Sequence, residues 1–247
     1  MMGQLFLNLL LAHVVGDFYC QTGRSCLGKR EKGLKGSDLY VHALIILVLS
    51  WLATWAWSFW WAALALGVIH LFIDAAKAAV ERRLKVDGQP VHMTRYAVWP
   101  FVIDQALHVA VIAFISWWWL QYNEWSQFAW AQTGWLVVSL ALLLCWKPAN
   151  LLTKHILRYC QVKILQDQPE ETTFKSGALI GTIERWLIVF FIFLQQYEAI
   201  GFLVAAKSIL RFSETKESEK SEYVLAGTLV SIAIAVACGI MVIADRL

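Results

Sequence analysis

FWWAALALGVIHLFIDAAKAAV, residues 59–80, decides how the rest of the chain is read. As a helix rising 1.5 Å per residue it is about 33 Å long, enough to cross a hydrocarbon core of about 30 Å. It nevertheless carries His70, Asp74 and Lys77. Ionisable groups are costly inside a span, so each is a candidate for function. Their spacings of four and three place them on one helix face.

Comparable apolar stretches lie near 3–21, 40–58, 98–120, 134–150, 178–197 and 223–244, with a shorter one at 199–212 that ends in Lys207 and Arg211. The whole chain of 247 residues is 59% hydrophobic and 16% charged, with 14 tryptophans, an allocation that suits lipid better than a water-soluble core. The expectation is therefore an all-α polytopic transmembrane bundle of about eight spans, or seven if 199–212 is re-entrant, forming a single transmembrane domain over 1–247. The opening residues lack a basic leader and hold Asp17 where a cleavage site would need small residues, so they read as a retained span. Residues 147–177 read as a cytoplasmic loop, with an interfacial helix over 151–165 and a polar stretch over 166–176.

Charge orients the bundle. With the N-terminus outside, nearly all loop cations fall in 22–39, 81–97, 147–177 and 211–222, whereas the outer segments hold only Arg246. This is the positive-inside pattern of a bacterial inner-membrane protein, and it requires 199–212 to cross. The outer turns carry Trp55, Trp57, Trp60, Trp61, Trp117, Trp118, Trp119, Trp125 and Trp130, as an interfacial aromatic belt would. A net charge of +3 scattered over four loops reports topology and argues against nucleic acid as a partner. Cys20, Cys26, Cys145, Cys160 and Cys238 show no C-x-x-C spacing and read as reduced, small apolar residues.

Three spans carry a histidine and an aspartate four residues apart: His13 and Asp17, His70 and Asp74, Asp104 and His108. The written order reverses in the last pair, and so does the direction of its helix. The three histidines then share one depth, with the aspartates about 6 Å nearer the cytoplasm. Imidazoles and carboxylates so arranged are ligands for zinc, with manganese or iron as alternatives. Both a one-metal site, with aspartates orienting histidine rings, and a two-metal site fit this pattern. A proton relay and structural hydrogen bonding are the competing explanations. His42, at the start of the second span, is a further possible ligand, although a lone histidine at a span end is more often interfacial.

A second polar set lies toward the same side. Lys77, Arg185, Lys207 and Arg211 suggest a wall that binds an anion, and Gln21 and Gln105 flank the aspartates and are placed to orient them. Glu184, Asp74 and Asp104 are the candidates for acid–base catalysis.

Six segments, AHVVGDFYCQ (12–21), HLFIDAAK (70–77), DQALH (104–108), IGTIER (180–185), AKSILRF (206–212) and EYVLAGTLVS (222–231), are similar to a bacterial family of small integral membrane proteins defined by domain of unknown function 3307. The resemblance implies a membrane protein and brings no activity with it. A looser similarity to inner-membrane metal-dependent hydrolases is an analogy of residue types only.

Two principal readings follow. In one, the chain is an intramembrane metal-dependent hydrolase acting at the cytoplasmic leaflet on an anionic small molecule or lipid head group. In the other, the same histidines and aspartates form a proton or divalent-metal pathway, against which stands the lack of an inverted repeat. A weaker third reading is a membrane sensor or effector.

Overall fold

The computed structural model describes residues 2–86, 88–123, 133–160, 170–212 and 218–244. Nearly all of these residues are helical, apart from connecting turns and one short antiparallel hairpin, β1 (Lys85–Val86) against β2 (Gln89–Pro90). The chain forms two compact units, Met1–Leu136 and Val137–Leu247.

In the first unit α1 (Met2–Val14) runs into a π-helical turn (Val15–Tyr19), followed by α2 (Gly23–Lys32), α3 (Ser37–Thr54), α4 (Trp60–Arg83) and α5 (Val98–Tyr122). Four of these helices close a ring: α1 packs on α3, α3 on α4, α4 on α5, and α5 back on α1. One end of the ring is filled by apolar side chains, including Leu5, Leu9, Phe59, Leu66, Ile112 and Trp119. One helical turn further, the same faces switch to His13 after Leu9, His70 after Leu66, and His108 before Ile112. The four-residue step keeps each histidine on the face that its apolar neighbour already buries. Close approach of α3 and α4 depends on Gly67, where a Cβ atom would lie 2.9 Å from Leu47 Cβ and 3.2 Å from the Ala43 carbonyl oxygen. A small residue at the crossing lets two apolar helices meet without a gap.

The second unit contains most of α6 (Thr133–Leu144), then α7 (Lys147–Tyr159), α8 (Glu170–Phe193), α9 (Tyr197–Phe212) and α10 (Ser218–Ala244). Here α8 and α10 are the main packing pair, with α7 against α10 and α9 against α8. Ile188, Ile192 and Ala235 form its apolar centre.

Several expectations are corrected. Four helical stretches, Ser37–Thr54, Trp57–Arg83, Arg95–Tyr122 and Leu225–Ala244, are long and apolar enough to cross a membrane, and a fifth is reached if Gly134–Leu144 and Lys147–Tyr159, bent by 42°, form one broken span. Eight spans are thus not reached among the described residues. Helix α1 has 13 residues before its π turn, α9 has 16, and α8 carries Glu170, Glu171, Lys175, Glu184 and Arg185. The polar stretch 166–176 is helical from Glu170 onward, where two glutamates following Pro169 suit a helix start. Trp119 does not face an interface: it is 2% exposed and packs edge-on against Phe59 at 4.8 Å between ring centres. Trp55, Trp57 and Trp60 are exposed, in keeping with a belt, whereas Trp125 and Trp130 lie outside the described residues.

Candidate metal centre

The polar end of the four-helix ring holds four imidazoles and three carboxylates. His13 comes from α1, Asp17 from the π turn, His42 from α3, His70 and Asp74 from α4, and Asp104 and His108 from α5. The π turn is marked by the Cys20 N–H donating to the Val15 carbonyl at 3.0 Å. Such single wide turns recur at functional sites because they re-aim one side chain without ending the helix. Here that side chain is Asp17.

Ring centres lie 4.0 Å apart for His70 and His108, 4.8 Å for His42 and His70, 5.0 Å for His13 and His108, and 5.5 Å for His13 and His70. The tightest set of donor atoms is His42 Nε2, His70 Nε2 and Asp17 Oδ1, with separations of 2.8, 3.0 and 3.5 Å. Ligands held 2.0–2.1 Å from a tetrahedral zinc are about 3.3 Å from one another, so these spacings match three corners of such a site. Two further sets, His13–Asp17–His108 and His70–Asp74–His108, also have donor atoms within 4.8 Å of one another. Each set mixes histidine with aspartate, so the acids do not form a separate layer one turn away.

His108 carries the most specific information. Its Nδ1 lies 2.8 Å from the Asp104 main-chain carbonyl, an oxygen that only accepts, so Nδ1 bears the proton. In the neutral ring Nε2 is then a bare lone pair, and that atom is buried with no hydrogen-bond partner. Burial of an unsatisfied acceptor is unfavourable by about 1–3 kcal/mol. A ring fixed through Nδ1–H that leaves Nε2 without a partner is the arrangement in which a histidine is oriented for a metal. The residues present therefore fit a divalent ion.

The carboxylates are oriented by their neighbours. Gln105 Nε2 donates to Asp17 Oδ2 at 2.7 Å and to Asp104 Oδ2 at 3.1 Å, while its Oε1 lies 3.3 Å from His13 Nε2. Gln21 Nε2 donates to Asp17 Oδ1 at 3.1 Å and also lies against the His42 ring. Lys77 Nζ bonds Asp104 Oδ2 at 2.7 Å, leaving Asp104 Oδ1 buried and unpartnered. Lys29 Nζ bonds Asp74 Oδ2 at 2.7 Å.

The structure thus brings together nine residues expected from the sequence: His13, Asp17, Gln21, His70, Asp74, Lys77, Asp104, Gln105 and His108. It adds His42 as a full member and Lys29, which sequence reading treats only as a loop cation. The other expected residues lie in the second unit. There Arg185 is buried, and its Nε donates to the Cys145 carbonyl, its Nη1 to Ser231 Oγ, and its Nη2 to Asn150 Oδ1 and Thr182 Oγ1. With four of its donors directed at neutral protein acceptors, Arg185 is a strut joining α7, α8 and α10. Glu184 pairs with Lys207. Arg211 is in α9, and its side chain lies outside the described residues.

No curated protein and no solved structure shows significant similarity to the chain. A family profile described as a protein of unknown function, DUF3307, matches residues 5–137. That range coincides with the first unit and takes in every member of the histidine–aspartate cluster, whereas the quoted segments at 180–185, 206–212 and 222–231 fall beyond it. The matched range covers more than half of the 247 residues, and the chain belongs to the DUF3307 family of proteins of unknown function.

Proposed function

We propose that this protein is a membrane-embedded, metal-dependent hydrolase acting on an anionic, phospholipid-like substrate at the cytoplasmic face of a bacterial inner membrane. The observation that carries this reading is the buried, unpartnered Nε2 of His108, whose ring is fixed by its Nδ1–H and which shares candidate ligand sets with His13 and Asp17 and with His70 and Asp74. His42, His70 and Asp17 would hold a zinc ion, or manganese or iron, with Asp74, His108 and His13 completing that site or a second one. Bound there, the ion supplies Lewis acidity and lowers the pKa of water toward neutrality.

The chain's own groups divide the remaining work. Asp104 has one oxygen held by Lys77 and Gln105 and the other without a hydrogen bond, 3.7 Å from His108 Nδ1, so Oδ1 is the atom placed to accept a proton from water. Gln105 keeps Asp17 and Asp104 in fixed relation. Lys77, whose side chain is 27% exposed, is the cation placed to meet an arriving anion. Glu184, paired with Lys207, is not assigned a step. The segments 22–36 and 81–97, with Arg24, Lys29, Arg30, Lys32 and Lys35 in one and Arg82, Arg83, Lys85 and Arg95 in the other, lie at matching ends of α3, α4 and α5, which supports a cytoplasmic location for the cluster end.

Metal-replete protein in detergent is expected to hydrolyse head-group esters of anionic phospholipids, and a chelator should abolish this. Asp104→Asn should lower kcat by about a hundredfold or more, the range of a positioned general base, with metal content retained. Metal-replete protein that hydrolyses no anionic phospholipid, yet passes divalent ions when reconstituted in vesicles, would replace this reading with the transport reading.

A further inference from the structure

Helix α2 is attached in an unusual way. None of its residues is buried, and Leu27, its large apolar side chain, is 53% exposed. Its contacts with α4 are polar: Lys29 with Asp74 at 2.7 Å, Arg30 with Glu81 at 2.7 Å, and Arg82 Nη1 donating to the Glu31 carbonyl at 3.4 Å. Toward α3 it presents Gly28, which lies against the Asp38 carboxylate. A segment held by charge with almost no apolar burial sits at the low-stability end of a fold. It is bounded by Thr22, which caps its first turn, and by Gly33, whose φ of 53° lies in the region that glycine occupies without strain.

The oxygen that Lys29 holds also faces two of the imidazoles. Asp74 Oδ2 lies 3.6 Å from His42 Nε2 and 3.8 Å from His70 Nε2. An ammonium group 2.7 Å from that oxygen and a divalent ion drawn to it repel each other and compete for its charge. With neutral imidazoles, three carboxylates facing two ammonium groups leave the cluster one negative charge. Exchanging one ammonium for a divalent ion makes it neutral. The Lys29 side chain is only 13% exposed although it belongs to an exposed helix, so it reaches inward to make this bond.

We propose that Lys29 is a tethered cation that holds the imidazole-facing oxygen of Asp74, and that a divalent ion displaces it and loosens α2 from α4. The proposal rests on the metal-centre reading and adds to it a coupling between metal occupancy and α2. By linkage, whatever stabilises the docked helix weakens metal binding, and metal binding undocks the helix.

Zinc titration against a competing chelator, with hydrogen exchange over residues 23–32, tests this on the full-length protein in detergent. Wild-type protein should exchange faster over 23–32 when saturated with zinc. Lys29→Gln should exchange fast without zinc, show no further change with it, and bind zinc about tenfold tighter, on the scale of neighbouring-group effects at metal sites. Lys29→Arg, which keeps the charge, should behave as wild type and guards against a folding defect at this position. Unchanged or weaker zinc binding by Lys29→Gln, or wild-type exchange over 23–32 that ignores zinc, overturns the proposal. If zinc binding still disappears in His70→Ala, the metal-centre reading survives that failure. Wild-type protein that binds no zinc overturns both.

Discussion

Replacing His70 by alanine is expected to lower zinc affinity by at least about a hundredfold, because it removes a donor from two of the three candidate ligand sets. Loss of a group that merely orients a ligand weakens metal binding by about 10–100-fold, so loss of a shared ligand should reach or exceed the top of that range. His70 stands between the other rings, with centres 4.0 Å from His108 and 4.8 Å from His42. His13 belongs to one set only, and His13→Ala leaves Asp17–His42–His70 and His70–Asp74–His108 intact. The expected order is therefore a severe loss for His70→Ala and a milder one for His13→Ala, measured by equilibrium dialysis with metal analysis. Equal affinities in wild type and His70→Ala would remove His70 from the site, and equal losses in both variants would contradict the overlapping sets.

Arg185→Ala should be the most destabilising single change in the second unit. The guanidinium bridges the Cys145 carbonyl, Asn150, Thr182 and Ser231, and truncation removes the donor from the Cys145 carbonyl, Asn150 Oδ1 and Ser231 Oγ, whereas Thr182 Oγ1 keeps the Asn150 Nδ2 donor. Each buried acceptor left without a donor is unfavourable by about 1–3 kcal/mol. Arg185→Lys should recover little, because a single ammonium cannot serve acceptors spread around a planar fork. Equilibrium unfolding in detergent should report the loss for both variants, while zinc affinity stays at the wild-type level because every candidate ligand lies in the first unit. Wild-type stability combined with weaker substrate binding would instead return Arg185 to the anion-binding role that its position in the sequence suggested.

The histidine–aspartate pairs were legible because two local facts converge on them. A four-residue step fixes a shared helix face, and reversal of the written order tracks reversal of the helix direction. Their assembly into one cluster follows from the ring of α1, α3, α4 and α5. His42 was only half legible, since a single histidine at a span end looks interfacial until α3 is seen to bring it 2.8 Å from His70. Lys29 was not legible as a site residue. Its bond to Asp74 spans 45 residues and depends on α2 folding back over α4, which no local pattern encodes. The π turn escaped for a related reason: Gly16 in VGDFY weakens the helix locally but does not specify a wider turn. The span count was overestimated because apolar composition was read without helix boundaries. The short α1 and α9 and the charged start of α8 do not provide the continuous apolar length that a span needs. Arg185 looked like an anion ligand because its charge is visible in the sequence, whereas the carbonyl and hydroxyl acceptors around it become neighbours only after packing.

X-ray absorption at the zinc edge on zinc-loaded, full-length protein tests the central claim most directly. The account predicts stoichiometric zinc with only nitrogen and oxygen neighbours at about 2.0–2.2 Å and the multiple-scattering signature of two or more imidazoles, both lost in His70→Ala. Sulfur at about 2.3 Å, which would place the ion on the exposed Cys20 or Cys26, would contradict it, as would wild-type protein that retains no zinc.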